Sequence, residues 1–236
     1  MSLAGQRVLI VGGASGIGYA VAEAAIADGA EVVIASTNVD KVAAAADKLG
    51  ATGAVIDVKD EASVAAFFAA SGKFDHIVTT AGDWGGVRGK MLGELDLQAA
   101  RSAFDVRFWG AVALAKHGAP ALNPGGSIVI TDGTFAHMPQ KGGVVSSAAA
   151  GAIEHLARAM AVEIAPIRVN CVCPGFILTD VWSTIPPERL GAFTAKQLIP
   201  RAGTPAEAAE AYLYLMRATY TTGQVILAEG GSLLGR

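Results

Sequence analysis

The sequence predicts a doubly wound α/β domain, a mostly parallel sheet of about seven strands with helices on both faces. Short β-branched runs alternate with alanine-rich stretches of helical spacing along all 236 residues. The strand candidates are unbroken apolar runs, which is what strands buried on both faces require. A glycine cluster follows the first of them and leads straight into the first helix. No repeat, linker or low-complexity tract divides the chain, so residues 1–236 read as one domain.

In order, strands are predicted at Arg7–Val11, Glu31–Ala35, Gly53–Ile56, His76–Thr80, Ser127–Thr131, Arg168–Val172 and Gln224–Ala228. Helical spacing fills the intervals at Ile17–Asp28, Val39–Leu49, Ala62–Ala70, Ala99–Gly118, Ala148–Ile164 and Pro205–Arg217. Strands separated by helices of this length imply crossover connections and parallel pairing. The stretch least like a regular element is Thr179–Gly203, with Trp182, Pro186, Pro187, Phe193 and Pro200. A long loop in a compact domain is commonly a lid, so 179–203 is expected to cover a substrate.

Composition excludes several classes of function. No run approaches the ~20 apolar residues that cross a bilayer, and Val8-Leu9-Ile10-Val11 is too short for a secretory core. The net charge of −3, with no basic block, gives nucleic-acid binding no support. Cys171 and Cys173 read as packing residues, with no metal or disulfide pattern, and a reducing cytoplasm is the expected compartment. Charged residues make up only 17% of the chain, so part of the surface is expected to be buried between subunits of a homodimer or homotetramer. Small alanine side chains raising the hydropathy are the competing explanation.

The first strand ends in Val11-Gly12-Gly13-Ala14-Ser15-Gly16-Ile17-Gly18. Glycines here allow a tight turn, close approach of a pyrophosphate, and packing of helix on strand. The helix start adds free N–H groups and the positive end of its dipole. Position after a first strand and before a first helix makes this a dinucleotide site, of the Rossmann type.

The spacing Gly-x-x-x-Gly-x-Gly resembles the short-chain dehydrogenase/reductase family, and other stretches agree along nearly the whole length. Asp57-Val58 resembles the pair that touches the adenine, and Thr79-Thr80-Ala81-Gly82 resembles Asn-Asn-Ala-Gly with both asparagines replaced. Ile167-Arg168-Val169-Asn170, Pro174-Gly175-Phe176-Ile177-Leu178-Thr179, Thr222-Gly223-Gln224 and Glu229-Gly230-Gly231 follow the family pattern. The resemblance implies that Gly12, Ser15, Gly16, Ile17, Gly18, Asp57, Val58, Ala81, Gly82, Pro174 and Gly175 belong to the cofactor site. It also implies that Ile177 and Thr179 hold the nicotinamide amide.

The second strand runs into Ser36-Thr37-Asn38, where NAD-binding domains commonly carry an acid for the ribose hydroxyls. These three residues carry no charge to repel a 2′-phosphate and can donate hydrogen bonds to it. NADP(H) is therefore the expected cofactor, with NAD(H) the alternative, although the arginine often used to pair the phosphate is absent from Ser15 and Thr37.

The resemblance also implies four catalytic residues, Asn, Ser, Tyr and Lys, the last two spaced Tyr-x-x-x-Lys. Here alignment puts Arg107 at the Asn position, Asp132 at the Ser position to within a residue, Ser146 at the Tyr position and Ala150 at the Lys position. No tyrosine in the chain has lysine four residues on. A serine hydroxyl is a far weaker acid than a phenol of pKa ~10, so a non-standard proton donor is needed. Arg107 can stabilise an oxyanion, and Asp132 reads either as a general base or as the ion-pair partner of Arg107. His137 and Lys141, in the loop after that strand, are weaker candidates facing the presumed cleft. Trp84, Trp182, Ile185 and Phe193 hint at an apolar or aromatic small-molecule substrate, or simply pack the lid.

Three readings result. The chain is an NADP(H)-preferring oxidoreductase of a carbonyl or alcohol, a dinucleotide-binding sensor or structural subunit without redox activity, or a lyase or isomerase using the same cleft.

Overall fold

The computed structural model describes residues 2–83, 86–87, 89–182 and 186–235. Seven strands, β1 (Arg7–Val11), β2 (Glu31–Ser36), β3 (Thr52–Val55), β4 (Phe74–Thr79), β5 (Leu122–Thr131), β6 (Arg168–Pro174) and β7 (Val225–Ala228), form one sheet. Their order is β3-β2-β1-β4-β5-β6-β7, every neighbouring pair parallel. The order reverses between β1 and β4, which opens a crevice at the carboxyl ends of those strands.

The sheet is covered on both faces because its inner strands are apolar on both. Leu9 and Val11 of β1 join Ile128 and Ile130 of β5 and Ile153 of helix α6 (Val144–Glu163) in one core. Val8 and Ile10 face the other way, onto Val21 of α1 (Gly16–Ala27) and Tyr212 of α8 (Pro205–Arg217). Helices α2 (Val39–Leu49), α3 (Glu61–Ser71) and α5 (Gly110–Gly118) complete the layers. Edge strand β3 is the exception to double burial, being largely exposed.

Two regions depart from the predicted elements. The single helix expected over Ala99–Gly118 is broken: α4 (Leu97–Ala100) passes into a 3₁₀ turn, then a π-helical turn at Asp105–Trp109, and only then α5. Gly110 at the junction packs against Val58, where a Cβ would lie 2.8 Å from a methyl carbon, so the two segments meet more closely than a larger residue permits. The stretch 179–203 is also more regular than expected, since it holds a 3₁₀ turn at Asp180–Trp182 and helix α7 (Pro187–Thr194). Proline in the first turn of a helix loses no hydrogen bond, so Pro187 starts α7 where it would break a helix interior. No described helix is long and apolar enough to cross a membrane.

Candidate functional site

The crevice is a cleft of about 660 Å³, floored by the β1–α1 turn. Gly12, Ser15, Gly16, Ile17 and Gly18 line it, with Ser36, Thr37 and Asn38 from the end of β2, Asp57 and Val58 after β3, Ala81 and Gly82 after β4, and Thr179 opposite. Gly12 has φ +88°, and a Cβ there would lie 2.6 Å from the Ala81 nitrogen. A Cβ on Gly18 would collide with the Gly12 carbonyl oxygen and Thr80 Oγ1. The glycines thus make a cradle that any side chain would fill, which fits the diphosphate of a nicotinamide dinucleotide.

Three predicted cofactor residues do not line this cavity. Pro174 is the buried last residue of β6, Gly175 is pressed against the Glu229 backbone, and Ile177 lines a second cavity beside Phe176 and Glu229. Of the residues implied to hold the nicotinamide amide, only Thr179 reaches the cleft. Asn38 is partly committed too, because its side chain caps α2 by accepting from the Lys41 N–H at 2.9 Å.

That cap explains a residue the sequence reading missed. It fixes Lys41 in the first turn of α2, where it lines the cleft beside Ser36 and Thr37, with Lys59 after β3 also on the wall. The signal was a lysine three residues past a capping asparagine, since a capped first turn points back toward the strand end it follows.

The inner end of the cleft is formed by the π-helical turn, which sends Arg107 against Gly82. Arg107 Nη1 donates to the main-chain carbonyls of Thr131 (3.2 Å) and Asp132 (3.1 Å). The expected ion pair between Arg107 and the Asp132 carboxylate is therefore corrected: the guanidinium reaches the backbone of Asp132. Among the described residues no side-chain donor bonds either carboxylate oxygen of Asp132, which lies against the Glu154 carboxyl, and the residue is only 2% exposed. Burial pushes its carboxyl up to about 8, Glu154 adds to the effect, and the Gly133 amide and Arg107 oppose it without reversing it.

Ser146 is buried in the first turn of α6, and its hydroxyl donates to the Gly143 carbonyl at 3.2 Å. Ala150 is fully buried one turn on. His137 does not face the cleft: its Nε2 lies 2.5 Å from Glu154 Oε1, one further turn along α6. Lys141 is exposed, outside the cleft. Glu154, which reads in the sequence as a polar helix position, is 7% exposed. No periodicity marks it, because its partner comes from a loop 17 residues earlier. Cys173 also adjoins His137 and Glu154, their donor atoms lying within 4.8 Å of one another. Burial raises the Cys173 thiol pKa, so it stays a neutral S–H.

Trp182 and Phe193 pack on Phe176, with ring centroids 4.6 and 5.6 Å away. The other two residues that hinted at an apolar ligand, Trp84 and Ile185, lie outside the described residues.

A family model described as enoyl-(acyl carrier protein) reductase matches residues 12–232. The short-chain dehydrogenase/reductase ATR9 of Stachybotrys chlorohalonatus is 36% identical, over 99% of both chains. The chain belongs to the short-chain dehydrogenase/reductase family. Among solved members, a small-chain dehydrogenase in complex with NADPH is 33% identical at a TM-score of 0.82, covering 98% of this chain and 99% of that one. The MalC reductase/Diels-Alderase of Malbranchea aurantiaca is 32% identical at 0.89, covering 98% and 96%. Fold and sequence together make this a short-chain dehydrogenase/reductase-type oxidoreductase with the family's seven-stranded parallel sheet.

Proposed function

We propose that the chain is an NADP(H)-preferring reductase or dehydrogenase of a small carbonyl or alcohol, in which Arg107 and Asp132 do the work usually given to Ser, Tyr and Lys. The observation that carries this reading is the juxtaposition of a glycine-lined cleft with a cation, Arg107, at its inner end and a buried carboxyl, that of Asp132, directly behind. When bound, the reduced nicotinamide supplies a hydride to the substrate carbon. Arg107 polarises the substrate oxygen and stabilises the charge that develops on it. Asp132, with its pKa near 8, is still protonated at neutral pH and donates the proton that oxygen needs. At the far end, Lys41 supplies the cation that Ser15 and Thr37 lack, beside the hydroxyls of Ser36 and Thr37, and so favours a 2′-phosphate. The solved relative with NADPH supports the same preference.

Calorimetry with NADPH, NADP⁺, NADH and NAD⁺, followed by a panel of aldehydes and ketones monitored at the nicotinamide absorbance, tests this. Heat with the phosphorylated nucleotides and oxidation of NADPH by part of the panel are expected. No heat at millimolar concentration overturns it.

One observation favours a second reading. Ser146 and Asp132 are 1% and 2% exposed, so neither presents its side chain to the cleft without a shift of Arg107 or its neighbours. In that case the cleft binds the nucleotide as a sensor or structural subunit, or supports a non-redox step, as the name of the relative MalC suggests for that protein. Product formation with unchanged cofactor, or nucleotide binding with no turnover, selects it.

A further inference from the structure

We propose that His137, Glu154 and Asp132 form one proton path, running in that order from solvent to the inner end of the nucleotide cleft. The path rests on the reading of Asp132 as proton donor and supplies what that reading leaves open, how a buried acid is recharged.

Exposure falls steadily along the path: 34% for the His137 side chain, 9% for that of Glu154, and 2% for Asp132. The first step is a 2.5 Å contact between His137 Nε2 and Glu154 Oε1. The second is the approach of the Asp132 and Glu154 carboxyls, close enough to share a hydrogen bond. Two ionised carboxylates repel at such a distance, so one proton is held between them. Among the described residues no other acidic or basic side chain is bonded to the Asp132 carboxyl.

Among the described residues packed against the cluster, the other titratable groups do not pass it a proton. Arg107 does not give up its proton at any working pH. The Cys171 and Cys173 thiols, both buried on β6, are shifted away from ionisation. The Ser146 hydroxyl is bonded to Gly143. Tyr212 bonds Thr131 on the opposite face of the sheet. Arg158, half-exposed at 3.9 Å from Glu154 Oε2, and Glu229, beyond Cys173, bias the charge of the cluster without joining it.

The steps balance. Asp132 gives the proton it shares with Glu154 to the substrate oxygen, which leaves both carboxyls ionised. Glu154 then takes a proton from the His137 imidazolium and shares it with Asp132 again, and His137 takes one from solvent. Nothing in the path is oxidised or reduced, and one proton enters for each hydride delivered.

The test follows the carboxyl and imidazole resonances of ¹³C,¹⁵N-labelled full-length protein through a pH titration, in wild type and in Glu154→Gln, Asp132→Asn and His137→Ala. Coupled groups move together, so Glu154→Gln is expected to lower the Asp132 midpoint by about one unit or more, and Asp132→Asn to shift His137. Asp132 and His137 titrating independently of each other and of Glu154 overturns the path. So does stoichiometric zinc binding through His137, Glu154 and Cys173, read by cobalt substitution. On carbonyls that the wild type reduces, His137→Ala is expected to lose about ten-fold or more in kcat with KM little changed, and to regain it with added imidazole. A loss that imidazole leaves in place overturns the path as a supply of protons. Coupled titration with no turnover anywhere in the panel overturns the reductase reading while leaving the coupled triad intact.

Discussion

At the outer end of the cleft, where β1 gives way to α1, the wall is main chain; at the inner end, where β5 gives way to α6, the polar groups gathered there are side chains from four separate segments. The outer end is one contiguous turn whose defining property is the absence of side chains at Gly12 and Gly18. The inner end brings Arg107 from a π-helical turn to the cleft wall, and behind it lie Asp132 from the end of β5, Glu154 from mid-helix and His137 from a loop. Main-chain recognition tolerates no added atom, whereas side-chain chemistry can be exchanged piece by piece while the fold stays the same. That contrast explains how a family member can keep its cofactor cradle and still lack Tyr-x-x-x-Lys.

The sharpest way to break the comparison is to add one methyl group at the outer end. Gly18→Ala places its Cβ on the Gly12 carbonyl and Thr80 Oγ1, and closing atoms cannot yield without moving the turn. Nucleotide affinity measured by calorimetry should fall at least ~100-fold, the range of about 2.7 kcal/mol or more that a lost cradle represents. Ala150→Gly, a change of one methyl at the inner end, should leave affinity unaltered within about two-fold, although it costs stability by about 1 kcal/mol. Equal losses at the two positions would remove the distinction.

Asp132→Asn tests the inner end. Turnover should fall about 10²–10³-fold with nucleotide affinity unchanged, since only a positioned proton donor is lost. The same variant has a stability signature. The unfolded carboxyl ionises near 3.8 and the folded one only near 8, so between those values the unfolded chain releases its proton first. Asp132 therefore penalises the folded state progressively as pH rises from about 4 to 8, and no further above that. Asparagine removes the penalty, so its melting temperature should match wild type near pH 4 and exceed it by about 5 °C or more near pH 8. A constant difference across that range would mean that Asp132 keeps an ordinary pKa.

Elsewhere in the sheet the sign is reversed. His76, buried between Gln6 and Ser127, is held down to about 4 by burial, with the charge of Arg168 adding to it. The unfolded imidazole takes up a proton near 6.5, so stability is present above that pH and is lost as pH falls toward 4. His76→Gln should flatten the acid limb of the stability curve by on the order of 1–2 kcal/mol, whatever happens to Asp132.

How much of this could be read from the chain follows the same division. The strands and most helices were legible because each is a local pattern, such as Val8-Leu9-Ile10-Val11 or the Pro205–Arg217 helix, which begins and ends where its spacing says. The outer site was legible for the same reason, its glycines being adjacent in sequence. Arg107 and Asp132 became candidates only through the resemblance to a family, and their relation was misjudged: the reach of a guanidinium to a main-chain carbonyl leaves no trace in residue type. Glu154 was invisible as a partner of His137, because two polar residues 17 apart look solvated until a loop folds one onto the other. Ile177 shows another side of this, since its family position survives in sequence while its side chain lines a second cavity.

Lys41 sharpens the comparison at the smallest scale, because it is a side chain at the end otherwise built from backbone. Its place on the cleft wall depends on the Asn38 cap that starts α2 beside the end of β2. A single exposed cation facing a phosphate is screened, so its contribution is modest, about 1–1.5 kcal/mol. Lys41→Ala should weaken NADPH about ten-fold while leaving NADH within two-fold, and raising the salt concentration should shrink the gap between variant and wild type. Asn38→Ala keeps the lysine but removes the cap that positions it, and should give part of the same loss together with a less stable α2. If both nucleotides weaken equally in Lys41→Ala, the lysine acts on the shared diphosphate, and the preference for the 2′-phosphate must come from Ser36 and Thr37 alone.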